Sequence, residues 1–148
     1  MKYEIDELDR GIIKQLARDG RMSFSEIASA LNVTEKTVRL RYKNLLDHGI
    51  MGVFGVVNPV EIGVKAGAII LLKVQPQKVK DAVEELKKFR EIRYITMTSG
   101  PYSLLVQIAV PTQDDITQTL LKINELTSIT DVNSIIQLEV FKNSYEYF

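Results

Sequence analysis

Cysteine and tryptophan are absent from the 148 residues, histidine occurs once, and neither sign of charge prevails, with 19 basic and 19 acidic residues. The missing thiols exclude disulfides, thiolate zinc sites and a cysteine nucleophile, and one imidazole leaves little for metal binding or acid–base chemistry. No cofactor and no metal are therefore expected. No run reaches the ~20 apolar residues that span a bilayer, and the opening MKYEIDELDR is polar and acidic, unlike a signal peptide. A cytoplasmic protein with no membrane attachment is the expectation. A formal net charge of zero gives no global attraction to nucleic acid. Any such affinity must come from a local patch, repeated in several copies of the chain.

Hydrophobic residues make up 45% of the chain and charged ones 26%, which suits a folded product of one domain or two small ones. Ile5, Leu8, Ile12 and Leu16 step by three or four, predicting an amphipathic helix over residues 4–18 that stops at Asp19-Gly20. Two shorter helices follow. Ile27, Ala28 and Leu31 share one helical face, Asn32-Val33 makes a turn, and Thr34 stands where an N-cap belongs, so the next helix starts near Glu35. On that helix Val38, Tyr42 and Leu45 form a buried stripe, and Lys36, Arg39 and Lys43 cluster away from it. Residues 36–43 hold Lys36, Arg39, Arg41 and Lys43 without an acid, although the chain as a whole is balanced. A basic face backed by an apolar one, behind a tight turn, is a helix-turn-helix suited to the major groove of double-stranded DNA.

After Leu46 the helix ends at Gly49, and Val53, Phe54, Val56 and Val57 alternate with glycine up to Asn58-Pro59, which reads as a wing and then a linker. A new pattern begins near residue 67. The apolar run 68–76 is a buried strand, and Val79, Val83, Leu86 and Phe89 repeat at helical intervals. Residues 92–100 and 103–111 form a hairpin about Gly100-Pro101, a helix runs from Asp114 or Asp115 to Leu126, and residues 132–142 close the set as a strand. The order β-α-β-β-α-β is the ferredoxin-like arrangement, α+β, with both helices on one face of an antiparallel sheet. Its other face is apolar and uncovered, so subunits are expected to pair sheet to sheet, which also supplies two reading helices for two half-sites.

With both halves placed, the chain resembles the Lrp/AsnC family of leucine-responsive or feast/famine transcription regulators over nearly its full length. The resemblance rests on IDELDRGIIKQLARDGRMSFSEIA, on VTEKTVRLRYKNLLDHGIMGVFGVVNP, and on TSGPYSLLVQ, in that order and spacing. It implies an N-terminal winged helix-turn-helix (1–50), a wing and linker strand (51–66) and a C-terminal ferredoxin-like βαββαβ domain of the RAM type (67–148). That last domain would sense a small amino-acid-like effector and assemble homodimers into an octamer or another ring of dimers. The family's DNA-reading positions fall on Thr34, Lys36, Thr37, Arg39 and Lys43, with Arg41 beside the buried stripe. Arg41 either holds DNA backbone or pairs with an acid of the first helix. Arg21 and Ser25 are placed to anchor neighbouring phosphates, and Leu40 to touch a thymine methyl.

The sensing half departs from the family pattern. Its hairpin loop reads Gly100-Pro101-Tyr102-Ser103, with serine where the family carries an aspartate able to pair with an ammonium group. The last strand offers Ile135, Ile136 and Gln137 where the family has small hydroxyl residues. The effector site implied for this chain is Gly100, Tyr102, Ser103, Ile135 and Gln137, and these residues favour an uncharged or apolar amino acid, or no effector. A turn alone would also demand Gly100, and Tyr102 could serve an oligomer contact. His48 reads as a helix C-cap, the Lys87, Lys88, Arg90 and Arg93 cluster as a solvated helix end, and the tail aromatics Tyr145, Tyr147 and Phe148 as a subunit contact. No phosphate-cradling loop and no nucleophile–base spacing appears, so an enzyme is not expected. The alternative to a sequence-specific regulator is an architectural protein that wraps DNA without an effector.

Overall fold

The carboxylate of Asp6 accepts from the Asp9 amide at 2.9 Å, and Asp9 accepts from the Asp6 amide at 3.2 Å. In the computed structural model, which describes residues 3–142, this reciprocal cap starts α1 (Glu7–Arg18). The helix therefore begins at residue 7, not at the expected residue 4, and leaves Ile5 outside it. Ser23 and Glu26 close α2 (Phe24–Leu31) in the same way, and Asn32 ends it with a left-handed φ of 53°. Thr34 caps α3 (Glu35–Asp47) by accepting from the Thr37 amide at 3.2 Å, as its sequence position indicates. His48 and Gly49, at φ 64°, end α3, and the His48 Nδ1 donates to the Asn44 carbonyl at 2.8 Å. Ile12, Leu16, Ile27, Ala28, Val38 and Leu45 meet as the core of these three helices.

The expected wing and linker strand do not form: no strand occurs between Met51 and Lys65. A strand needs a partner for its amides and carbonyls, and the segment has none among the described residues. Its apolar side chains stay exposed, Phe54 at 85%. Residues 58–64 instead coil into a turn, where the Val60 amide donates to Asn58 Oδ1 at 3.1 Å and the Val64 amide to the Pro59 carbonyl at 2.8 Å. The chain divides into two compact units between Val56 and Val57.

The second unit runs β1 (Ala66–Val74), α4 (Val79–Leu86), β2 (Ile92–Met97), β3 (Leu104–Val110), α5 (Gln113–Asn124) and β4 (Ile129–Ile136). Its antiparallel sheet has the order β2-β3-β1-β4. The last strand lies earlier than the sequence suggests, at 129–136 instead of 132–142. β1 sets both ends: Ile129 stands opposite Val74, and after Ile136 only the Gln137 amide still reaches a β1 carbonyl, that of Gly67, at 2.9 Å. Beyond it there is no strand left to pair with. Ala68, Ile70, Leu72 and Val74 of β1, with Leu104, Val106, Ile108 and Val110 of β3, pack under Ala82 and Leu86 of α4 and Ile116 and Ile123 of α5. Period two turns Ile69, Leu71, Leu105, Ala109 and Ile135 to the opposite face, which no helix of this unit covers. The tail aromatics Tyr145, Tyr147 and Phe148 lie outside the described residues. Among the described residues no helix is long and apolar enough to cross a membrane.

Candidate nucleic-acid interface

Burial of Val38 and Leu45 fixes which side of α3 faces outward. The tight turn at Asn32 and the Thr34 cap fix where the helix starts. Lys36, Arg39, Leu40 and Lys43 are consequently all exposed, and the structure brings them onto one face. Lys36 and Lys43 make no ion pair among the described residues. Thr34 and Thr37 share a hydrogen bond between their hydroxyls at 2.8 Å, so both are partly occupied by the cap itself. Ser25 is exposed on the first turn of α2, and Arg21, also exposed, precedes that helix. The Glu26 carboxyl of the same helix turn lies under its ordinary value because the Ser23 hydroxyl and then the Ser23 amide donate to it.

Arg39 has two partners within its own unit. Its Nη2 donates to Glu35 Oε1 at 2.7 Å, and its guanidinium carbon lies 5.0 Å over the centroid of the Phe24 ring. Phe24 in turn meets Tyr42, their centroids 5.0 Å apart and tilted by 56°. The Glu35–Arg39 pair was legible as an i, i+4 spacing. The Phe24 contact was not, because it depends on the angle between α2 and α3.

Arg41 faces the other way. Its Nη1 lies 2.7 Å from Asp6 Oδ2, 3.2 Å from Asp9 Oδ2 and 3.5 Å from the Tyr3 hydroxyl. Tyr3 donates to Asp9 at 3.0 and 3.1 Å, and Asp9 is fully buried. The acceptor oxygens of Tyr3 and Asp6 raise the Arg41 pKa above its ordinary value. Of the two roles open to this arginine, its geometry is the intramolecular one: it ties α3 to the start of α1.

The sensing residues fall into two groups. Gly100 takes a φ of 102°, so the turn demands glycine there. The Ser103 hydroxyl is satisfied by the Val74 backbone at 3.4 and 3.5 Å, and Tyr102 donates to Asp131 Oδ2 at 3.3 Å. Gln137 instead pairs with Gly67 and accepts from the Gln107 amide at 3.2 Å. Since Ser103 adjoins Val74 and Gln137 adjoins Gly67, the length of β1 separates them, roughly 23 Å at strand rise. Ile135, opposite Ile69, is nearer the Gln137 end. One chain does not bring the five together. Asp131, which no sequence motif singles out, accepts a hydrogen bond from Tyr102 of the hairpin loop and stands across the ladder from Lys73. The Lys87 cluster is partly paired, Lys87 with Glu84 at 2.6 Å, and an open depression of about 380 Å³ lined by Lys88, Phe89, Arg90, Glu91 and Lys122 includes none of the sensing residues.

Comparison with known proteins covers both units. Residues 5–46 match the AsnC-type helix-turn-helix domain, and residues 67–147 match the Lrp/AsnC ligand binding domain. An uncharacterized HTH-type transcriptional regulator of Pyrococcus horikoshii is 36% identical over 146 residues, covering 97% of this chain and 92% of its own. The solved structure of AsnC from E. coli superposes with a TM-score of 0.87 at 26% identity, over 95% of this chain and 97% of that one. A transcriptional regulator of Neisseria meningitidis, solved as a complex with L-Met, shares the fold at a TM-score of 0.83 and 21% identity, over 96% of this chain and 95% of that one.

Proposed function

Because the chain belongs to the Lrp/AsnC family of HTH-type transcriptional regulators, we propose that it regulates in the cytoplasm by occupying promoter DNA sequence-specifically as an oligomer of dimers. In this reading α3 enters the major groove with Lys36, Arg39, Leu40 and Lys43 toward the duplex. Thr34, Thr37, Arg21 and Ser25 approach the phosphates around it, and Arg41 braces the helix from behind. The observation that carries it is the exposed cationic face of α3 set against a fully buried Val38 and Leu45. Residues 1–50 then form the reader, 51–66 the connection, and 67–148 the sensing and assembling half, paired through the uncovered sheet face into dimers and then an octamer or similar ring.

For the effector, the L-Met bound to the Neisseria regulator supports an amino acid of apolar side chain. Asp131 supports it further, since it supplies beside Tyr102 the carboxylate that position 103 lacks, with Lys73 across the ladder for the amino acid's own carboxylate. The test of the DNA reading is the Lys36→Ala, Arg39→Ala, Lys43→Ala variant. Its affinity for duplex DNA should fall, and the slope of log affinity against log salt should flatten by about one for each phosphate that is no longer neutralised. Unchanged affinity and slope would sink the reading. Equal wild-type affinity for promoter and scrambled duplexes would make the protein architectural.

A further inference from the structure

Arg39 differs from its neighbours Lys36 and Lys43 in being held. Phe24 covers one face of its guanidinium, at 5.0 Å to the ring centroid, and Glu35 takes one donor of Nη2 at 2.7 Å. An arginine free to swing beside two lysines would settle on the nearest phosphate, as a third sequence-blind cation. Both side chains of this pair are exposed, Arg39 at 64% and Glu35 at 49%, so the arginine keeps its charge, but the carboxylate at its side repels phosphates, and four of its five donors remain. A guanidinium with a carboxylate beside it gains less from a phosphate than a free one does. It still gains two hydrogen bonds from the O6 and N7 acceptors of a guanine edge, and the Phe24 ring 5.0 Å beneath it limits where those donors can swing. Glu35 is itself exposed on the first turn of α3, with a carboxylate able to accept from the N4 amine of a cytosine.

We infer that Glu35 and Arg39, held by Phe24, are the specificity element of this protein, reading a guanine and an adjacent cytosine, whereas Lys36 and Lys43 supply attraction that ignores sequence. The inference rests on α3 being the reading helix and goes beyond it. Phe24 is a positioning residue, acting through Arg39. Glu35 works against non-specific binding as much as for the correct site, which is how a charge of the wrong sign in a reading face produces discrimination.

The experiment is selection from a randomised duplex pool by the full-length protein, followed by binding to the selected duplex and to a scrambled duplex of equal composition. Glu35→Gln should bind the scrambled duplex several-fold more tightly, lower the ratio of selected to scrambled affinity by about tenfold, and lose preference at a G·C position of the selected site. Phe24→Leu should lower the ratio without tightening the scrambled duplex. If Glu35→Gln tightens both duplexes by one factor, Arg39 is only a phosphate contact and the inference is overturned. It is also overturned if the variant shifts the melting temperature and leaves both affinities alone, the signature of a helix-stabilising pair. A Lys36→Ala, Lys43→Ala variant separates the two levels: if it leaves scrambled binding and salt dependence unchanged, α3 is not the reading helix and the underlying proposal fails as well.

Discussion

Arg41 and Asp9 stand 3.2 Å apart, the carboxylate closed to solvent and the guanidinium side chain 31% exposed. Removing the cation leaves a buried carboxylate with only the Tyr3 hydroxyl and the Asp6 amide. Arg41→Ala should therefore cost about 3 kcal/mol of stability, the lower end for a broken buried pair. Lys43→Ala, on the exposed face of the same helix, should cost under ~0.5 kcal/mol. Urea denaturation of both variants checks this, and equal midpoints would mean that Arg41 does not brace the helix.

Asp6 and Glu26 both contribute to the acid limb of stability. Asp6 lies below its ordinary 3.8 because the Asp9 amide, then Arg41, donate to its carboxylate. Glu26 lies below its ordinary 4.5 because of the Ser23 hydroxyl and amide. A depressed folded pKa contributes stability that is complete above the unfolded value and is lost as pH falls through the folded one. Stability should thus decline below pH 4.5 and continue to fall past 3.8. The Asp6→Asn, Glu26→Gln variant should start less stable and lose less on acidification. Parallel pH profiles for variant and wild type would contradict the assignment.

Gly100 has a φ of 102° and open space where a Cβ would project. Gly100→Ala should destabilise through the backbone alone, by about 1–2 kcal/mol. Gly55, with equally open space and no positive φ, should tolerate alanine at no cost. Equal thermal shifts for the two substitutions would show that the hairpin turn does not need its glycine.

Ile69 and Leu71 occupy the centre of the uncovered sheet face, half-exposed in the single chain. Leu71→Asp should lower the mass measured by sedimentation from that of the assembly toward that of a single chain, since a charge buried between two sheets has no partner. Unfolding is not expected, because the side chain points away from the core under the helices. Retention of the wild-type mass would move the subunit contact elsewhere.

A thermal-shift screen against the twenty amino acids tests the sensing half. A ligand at a hundredfold its dissociation constant adds about 2.7 kcal/mol to the bound state. Apolar amino acids should raise the melting temperature, and Asp131→Asn should abolish the shift while Gln137→Ala keeps it. Silence across all twenty would remove an amino-acid effector from the proposal, and a shift that survives in Asp131→Asn would remove Asp131 from the site.

Elements carried by periodicity and local chemistry were legible in the chain. The Thr34 cap, the Val38 and Leu45 stripe and the βαββαβ order all depend on residues a few positions apart. What failed depended on partners. Residues 51–57 carry a strand composition, but a strand is a pairing, and no described segment pairs with them. The last strand was misplaced because its ends are dictated by β1, some sixty residues earlier. The candidate site divides the same way. The cationic face followed from helical spacing, whereas Phe24 beneath Arg39 and Asp131 beside Tyr102 follow from packing between elements that no local pattern encodes. The spacing of Arg41 fits two roles, and the convergence of Asp6, Asp9 and Tyr3 on it, set by how α1 meets α3, decides between them.

The sheet order β2-β3-β1-β4 has a consequence in time. Ala68 of the inner strand must wait for Ile136 before its second neighbour exists. The three helices of the first unit need nothing beyond residue 51, and small helical units fold in microseconds to milliseconds. At ribosomal speed the ~90 residues from Asp47 to Ile136 take roughly 5–18 s to appear. The residues that make up the helical core are thus all present seconds before the sheet can close. The sheet-to-sheet pairing proposed for the subunits can only follow this closure, because the face it uses is completed last.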